Sequence, residues 1–214
     1  MLCPTTRRGR TKSCQSPKIT SYQTGQAQLL KLRVNKAPLT FVFTPASYSV
    51  GVVGRLQPFP GMTNGVWQMR PESKGYVRAR TADPDDAPAI QPNYLSATED
   101  QRAIVDGLRW CRRFLATGAL RPYCGLETLP GVNVTTDDEL LDYARQHGAT
   151  VYHAVSTCRM GQDALAVVSA DLKVHGIAGL RVADASVMPT MPSANTHAAT
   201  LMIAEKASDL IAGD

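Results

Sequence analysis

One stretch near the middle of the chain repeats apolar residues at the spacing of an α-helix. Ile104, Leu108, Cys111 and Leu115 follow one another at intervals of three or four residues, which makes one helix face apolar. The segment Ser96-Ala97-Thr98-Glu99 just before them is a capping box, whose serine and glutamate can satisfy free backbone N–H groups at a helix start. We predict a helix from Ser96, with Cys111 packed in a core rather than reactive.

Two further helices are predicted towards the C-terminus. A second capping box, Thr136-Asp137-Asp138-Glu139, opens a shorter helix that should run through Tyr143 and end near Gly148. The last helix spans roughly residues 196–211. Its apolar residues are expected to point largely inward, namely Leu201, Ile203, Ala204, Ala207, Leu210 and Ile211.

Alternation of apolar and polar residues predicts strands elsewhere. Residues 39–43 are β-branched and aromatic, and residues 66–70 and 75–80 alternate and are joined by a short Pro/Ser/Gly connection that favours a hairpin. Residues 83–92 are rich in Asp and Pro and predict a loop. Three short strand-like runs follow Gly161, at residues 165–168, 172–176 and 180–184.

The charge is divided unevenly along the chain. The formal net charge is +5. Residues 1–36 hold eight Lys or Arg and no Asp or Glu and so carry +8, which leaves −3 for the other 178 residues. This basic leader could be a binding arm, an Arg-rich transit peptide or disordered chain, and we expect disorder. A mildly acidic body gives no reason to expect nucleic acid as a partner.

Composition narrows the class of protein further. The 43% hydrophobic content of 214 residues is enough for a buried core. We find neither an apolar segment long enough to span a membrane nor a secretory signal, so we expect a cytoplasmic protein. The five cysteines are odd in number and contain no Cys-x-x-Cys pair, which gives no indication of a disulfide framework or a metal site.

Four polar residues could carry chemistry. His153 precedes a turn of small residues, and its imidazole could accept a proton from a hydroxyl near neutral pH. Asn195 and His197 stand at the start of the last helix, and His175 lies beside a glycine turn. Taken singly, each has a structural explanation: asparagine is a preferred N-cap, and a lone histidine is more often structural than catalytic.

In combination, these segments resemble a known family. The residues 152–153, 157–161, 167–168, 172–176, 179–190 and 193–211 closely resemble the C-terminal signature of glucose–methanol–choline (GMC) oxidoreductases. Residues 70–75 and 91–95 resemble the substrate-domain part of the same family. The resemblance covers about residues 39–211 and is greatest to the choline- and alcohol-dehydrogenase-like branch.

Membership of this family implies an FAD enzyme that oxidises an alcohol to an aldehyde or ketone. By resemblance, His153 matches the histidine that deprotonates the hydroxyl, and Asn195 matches the second active-site position, where members have His or Asn. The hydride goes to flavin N5. Asp184 and Ala185 match positions beside the ribityl and phosphate region of FAD, and the backbone of Asn195 and Thr196 matches one near the pyrimidine edge of the flavin.

The sequence departs from the family pattern at several positions. Ala154 and Ser156 stand where the family usually has Pro and Gly, Ser169 where it has an acidic residue, and His197 where Asn is common. Replacement of a glycine by Ser156 would strain a turn that needs positive φ. His197 could compete with Asn195 for the second role, although the spacing to Lys206 favours Asn195.

A Gly-x-Gly-x-x-Gly segment, which grips the ADP part of a dinucleotide, does not occur in the sequence, and 51–54 is not such a motif. The predicted fold class is therefore mixed, α+β with α/β. Residues 1–38 form a basic leader unlike the family. By the same resemblance, we expect residues 39–155 to form a substrate-binding domain with an antiparallel sheet and helices. We expect residues 156–214 to form the closing strand and helix of an incomplete FAD-binding domain.

Two functional hypotheses follow. In the first, the chain works as a flavin-dependent alcohol dehydrogenase with an N-terminal FAD-binding half as its partner and a small alcohol as its substrate. In the second, it is a truncated, non-catalytic fragment, inactive alone. In both hypotheses, the closing strand and helix would lack the rest of the FAD-binding domain beside them. They would then expose apolar surface and promote association.

Overall fold

The chain folds into two compact units, each made of two separate stretches of sequence. A computed structural model describes residues 2–4, 28–34, 37–49 and 55–213. The first unit comprises Met1–Gln68 and Gln101–Gly148, and the second comprises Met69–Asp100 and Ala149–Asp214. The division predicted from the sequence, at residues 38/39 and 155/156, stays a prediction.

The first unit contains a four-stranded antiparallel sheet in the order β1-β4-β3-β2. Its strands are β1 (Leu2–Pro4), β2 (Gln28–Val34), β3 (Ala37–Thr44) and β4 (Gly61–Gln68). The predicted strand at residues 39–43 forms the centre of β3. In the pairing of β3 with β4, Leu39 lies opposite Gln68 and Phe41 opposite Val66, so these side chains share one face of the sheet.

That sheet face packs in one core with helix α1 (Thr98–Leu115). The buried members of this core are Leu39, Phe41, Met62, Ala103, Cys111 and Leu115. The predicted stripe is confirmed, because Leu108, Cys111 and Leu115 are buried while Arg109 and Arg113 on the same helix are exposed. Helix α1 begins two residues after Ser96.

Helix α2 (Asp137–His147) begins and ends as the sequence predicted. The Thr136 hydroxyl accepts from the Glu139 N–H, and the Glu139 carboxylate accepts from the Thr136 N–H, which completes the capping box. These hydrogen bonds also hold the pKa of Glu139 below its ordinary value. Gly148 follows the last turn, and Leu140 is completely buried against Val105 and Leu108 of α1.

The buried thiol of Cys111 should make the chain less stable at alkaline pH. Burial raises the pKa of Cys111 from 9.0 to about 12. Below pH 9 the thiol is protonated in both states. Above it the unfolded chain gains stability by ionising, at about 1.4 kcal/mol per pH unit. Between pH 9 and 10.5 we expect the free energy of unfolding, from urea titration, to fall by about 2 kcal/mol more than in Cys111→Ala. An equal fall in both proteins would contradict a buried, neutral thiol.

The predicted pairing of residues 66–70 with residues 75–80 is wrong. Residues 66–68 belong to β4, which pairs with β3 and β1, whereas β5 (Tyr76–Arg78) pairs with β6 (Ala89–Gln91). Strand β6 also lies inside the segment predicted to be loop. Period-two alternation identifies a strand but does not specify its partner, and β3 offers β4 a longer ladder than β5 could.

The second unit contains the β5–β6 pair, the C-terminal helix α3 (His197–Ala212) and the segment between residues 149 and 196. The strand-like runs predicted after Gly161 form only isolated bridges, such as Met160 with Val168 and Lys173 with Arg181. A second core holds them together, and its buried members are Val168, Leu172, Val187, Met188, Ile203 and Ala207. Among the described residues, no helix is long and apolar enough to cross a membrane.

Helix α3 carries apolar residues on two sides. Ile203 and Ala207 are buried in the second core, with Leu210 packed beside them. Leu201 and Ile211 were predicted to point inward, yet they are 54% and 57% exposed, and Ala204 is exposed as well. The prediction was wrong for these three because a helix that is apolar on both sides buries only one side against a single core.

Part of the basic leader forms strands. The pairing of β2 with β3 runs from Gln28 opposite Phe43 to Val34 opposite Ala37. In the sequence, Leu30, Leu32 and Val34 alternate with Lys31 and Arg33, a period-two pattern that the charge of this segment obscured. Residues 5–27, for which disorder was also predicted, and the segment 51–54 lie outside the described residues.

Candidate active site

His153 contacts the first turn of α3. Its Nδ1 lies 2.9 Å from the hydroxyl oxygen of Thr196, and the imidazole is half-buried while Thr196 is buried. Val155, two residues further on, packs against the second core together with residues of α3. The segment of His153 and the start of α3 are therefore brought together, although 43 residues separate the two contacting side chains.

The start of α3 presents unpaired backbone donors. The first intrahelical bond runs from the Thr200 N–H to the Thr196 carbonyl, at 2.9 Å. The N–H groups before Thr200 have no carbonyl partner within the helix, as at every helix start. Together with the helix dipole they favour an anion or a partly negative oxygen at this end of α3.

The other two predicted residues at this helix start are accessible. Asn195 precedes Thr196 and is exposed, and His197 is the first residue of α3 and is also exposed. His153 and Thr196 are linked directly by the contact described above. Asn195 and His197 are thus neighbours of this contact in the chain, and both side chains are open to a ligand.

Asp184 and Ala185 lie on a short 3-10 turn, Ala185–Val187, that α3 contacts. The Asp184 carboxylate accepts from the Ser186 N–H at 2.7 Å and so caps this turn. Cys158 N–H donates to the Ser186 carbonyl at 3.0 Å, which ties the turn to the segment that follows His153. All the predicted cofactor-contacting positions therefore lie on elements that share the second core.

Two residues with positive φ flank His153. Tyr152 has φ of 60° and Ser156 has φ of 71°, a region that residues with a Cβ rarely adopt. The strain predicted for Ser156 at a glycine position is thus observed in the backbone. Such outliers persist where the surrounding structure determines them, and they cluster at functional sites.

Replacing Ser156 by glycine should stabilise the second unit. Glycine adopts positive φ without the clash of a Cβ, a gain of about 1–2 kcal/mol that its greater entropy loss on folding partly offsets. We expect Ser156→Gly to raise the free energy of unfolding by about 0.5–1 kcal/mol, measured by urea titration. Ser156→Ala keeps the Cβ and serves as the control, which should show no gain. Equal stability of the two variants would contradict backbone strain at this position.

An ion pair and a contact of the His175 imidazole hold the turn after His153. The Arg159 guanidinium donates to both Asp163 carboxylate oxygens, at 2.8 Å for the Nη1 contact, and lowers the pKa of Asp163 to about 2. His175 places its Nε2 3.0 Å from the Gly161 carbonyl oxygen. His175 is therefore explained as a structural residue, as the sequence favoured.

The contact of the Thr196 side chain with His153 was missed by sequence reasoning. The resemblance assigned a role only to the backbone of residue 196, and neither periodicity nor spacing indicated that its hydroxyl would meet His153. A second missed contact joins Arg70, whose Nε donates to the Ser193 hydroxyl near the start of α3. Both contacts join residues distant in sequence, which a local pattern does not reveal.

Comparison with known sequences identifies the family of this chain. The family model described as GMC oxidoreductase, for the C-terminal region, matches residues 71–204. An oxygen-dependent choline dehydrogenase of Yersinia pseudotuberculosis is 44% identical over 153 residues, which are 72% of this chain and 27% of that protein. The chain thus spans about a quarter of the length of the curated relatives it matches.

Solved structures agree with this result. Pyridoxine 4-oxidase from Mesorbium loti superposes with a TM-score of 0.77 at 26% identity, over 87% of this chain and 38% of that one. An FAD-dependent oxidoreductase from Chaetomium thermophilum has a TM-score of 0.63 at 28% identity, over 81% of this chain and 28% of that one. Since the family model covers more than half of its residues, this chain belongs to the GMC oxidoreductase family.

Proposed function

We propose that the chain supplies the catalytic C-terminal part of an FAD-dependent oxidoreductase that converts an alcohol to an aldehyde or ketone. His153 takes the proton of the substrate hydroxyl, and Asn195 is the second polar side chain at the reacting oxygen. The observation that carries the proposal is the 2.9 Å contact of His153 Nδ1 with Thr196, since it sets a base beside the free N–H end of α3.

The residues at the start of α3 suit the flavin end of FAD. When bound, FAD would supply the electron acceptor for oxidation of the alcohol. The backbone of Asn195 and Thr196, with the N–H groups of the first turn of α3, can donate to the polar pyrimidine edge of a flavin. Asp184 and Ala185 would lie along the ribityl and phosphate region, because the turn that they begin contacts α3.

The same residues do not suit the ADP end of the cofactor. A dinucleotide is normally gripped by a glycine-rich turn that opens a helix, and the sequence contains no Gly-x-Gly-x-x-Gly. We infer that an FAD-binding half other than these residues holds the ADP end and is the partner of this region. The exposed apolar side of α3, which includes Leu201, Ala204 and Ile211, is the surface that we assign to this partner.

His153 acts as a base only if its nitrogen facing the substrate is unprotonated. A positioned base contributes about 10²–10⁴ in rate, because it takes the hydroxyl proton in the transition state. The amide of Asn195 can donate to the substrate oxygen as negative charge develops on it, and such a donor is worth most where water is excluded. Choline and pyridoxine, the compounds in the names of two similar proteins, both carry a primary alcohol, and we propose a small alcohol as the substrate.

Complementation tests the proposal. The chain is coexpressed with the N-terminal FAD-binding half of the similar choline dehydrogenase, and the purified complex is assayed for flavin and for alcohol-dependent reduction of a dye. We expect bound flavin and turnover with at least one small alcohol from a panel that includes choline. A complex that forms and holds flavin, yet reduces no dye with any alcohol, would contradict the proposal.

A non-catalytic fragment is the second candidate function. It is favoured by the exposed apolar side of α3, which has no covering element among the described residues. This hypothesis predicts that the isolated chain neither binds FAD nor gains activity from a partner half. Stoichiometric FAD on the isolated chain would exclude it.

A further inference from the structure

The hydroxyl of Thr196 does not perform the task that its position normally gives it. Thr196 is the N-cap residue of α3, and an N-cap threonine usually accepts a hydrogen bond from an N–H of the first turn. Here its backbone is helical, with φ of −70° and ψ of −17°, and its side chain makes no capping hydrogen bond. The hydroxyl faces His153 Nδ1 at 2.9 Å instead.

This contact has two possible polarities, and they have opposite chemical consequences. If the threonine hydroxyl donated to Nδ1, the neutral imidazole would carry its proton on Nε2, which could not then accept one. If Nδ1–H donates to the hydroxyl oxygen, the lone pair is on Nε2. Only the second arrangement leaves His153 able to take a proton from an alcohol.

We propose that Thr196 is a positioning residue that accepts the hydrogen bond from His153 Nδ1–H and so keeps Nε2 as the basic nitrogen. This inference rests on the proposed function, since it gives a tautomer to the base assigned there. The buried hydroxyl also limits rotation of the imidazole, because Thr196 is only 7% exposed and Thr200 N–H and Oγ1 both bond to its carbonyl oxygen. Helix α3 thereby sets the orientation of a side chain that belongs to another segment.

The tautomer can be measured without cofactor or substrate. In the 214-residue chain labelled with ¹⁵N-histidine, two-bond ¹H–¹⁵N spectra distinguish Nδ1–H from Nε2–H imidazoles. The His153 signal is identified by its loss in His153→Gln. At a pH where the imidazole is neutral, we expect the Nδ1–H form in the wild type and in Thr196→Ser, and a shift towards Nε2–H in Thr196→Val.

Each outcome of this measurement decides the proposal. An Nε2–H imidazole in the wild type, or the same tautomer in Thr196→Val as in the wild type, overturns it. Helical circular dichroism of Thr196→Val should match that of the wild type, because the lost hydroxyl does not cap α3. If Thr196→Val does not fold, the wild type and Thr196→Ser still settle the polarity of the contact.

A kinetic test separates this inference from the proposed function. In the complemented complex we expect Thr196→Val to lower kcat at least about tenfold with little change in KM, and Thr196→Ser to restore it, since a wrong tautomer impairs proton transfer rather than binding. If the wild-type complex is inactive, the proposed function fails while the tautomer result stands. If the complex is active and Thr196→Val retains full kcat, the positioning role fails alone.

Discussion

Replacing His153 by glutamine should lower the turnover of the complemented complex by about 10²–10⁴, while its flavin content stays the same. Glutamine retains a polar side chain of similar length but cannot accept the hydroxyl proton. The flavin content should not change, because the helix start assigned to the cofactor uses backbone groups of α3 rather than the imidazole. The measurement is alcohol-dependent dye reduction under saturating substrate, with flavin quantified in the same sample.

His175→Gln is the matched control for this experiment. Its imidazole contacts the Gly161 carbonyl and not the start of α3, so the variant should keep nearly all of its turnover. If His153→Gln turned over as fast as the wild type, His153 would not be the base. A large loss in both variants would instead indicate that histidine replacement disturbs the fold of the second unit.

The second large effect is expected at the exposed apolar side of α3. Leu201→Glu should leave the stability of the isolated chain within about 0.5 kcal/mol, since the side chain is 54% exposed. The same change should weaken association with the FAD-binding half by at least about 30-fold, because a charge would be buried without a partner in an apolar contact. Titration of the labelled half with each variant measures both affinities.

Two substitutions on the same helix serve as controls for this result. Lys206→Gln changes an exposed polar position and should not alter the affinity. Ile203→Glu places a charge in the second core and should unfold the second unit, as Ile203 is 7% exposed. Wild-type affinity in Leu201→Glu would mean that this side of α3 is not the partner surface.

The elements that the sequence predicted well are those whose ends are determined locally. Helix α2 could be placed because its capping box and its following Gly148 act within a few residues, and the stripe of α1 because Cys111 and Leu115 repeat within one helix. The partner of β4 could not be predicted, since alternation is the same whichever strand lies beside it. The exposed side of α3 was missed because apolarity predicts burial without saying what covers it.

The residues of the candidate site likewise include some that the sequence could predict and some that it could not. His153 and Asn195 were found through resemblance to a family, while their residue types alone had structural explanations. The strain at Ser156 could be anticipated, because a glycine position often marks positive φ. The hydroxyl of Thr196 could not, since a contact across 43 residues depends on how the second unit folds.

The order of the two units along the chain limits how the protein can be shortened. The unit that contains His153 and α3 uses Met69–Asp100 as well as Ala149–Asp214, and the sequence between them belongs to the other unit. Any continuous piece that keeps the whole of this unit therefore contains all of α1 and all of α2. A fragment that holds only this unit would have to be made by joining two separate segments rather than by trimming an end.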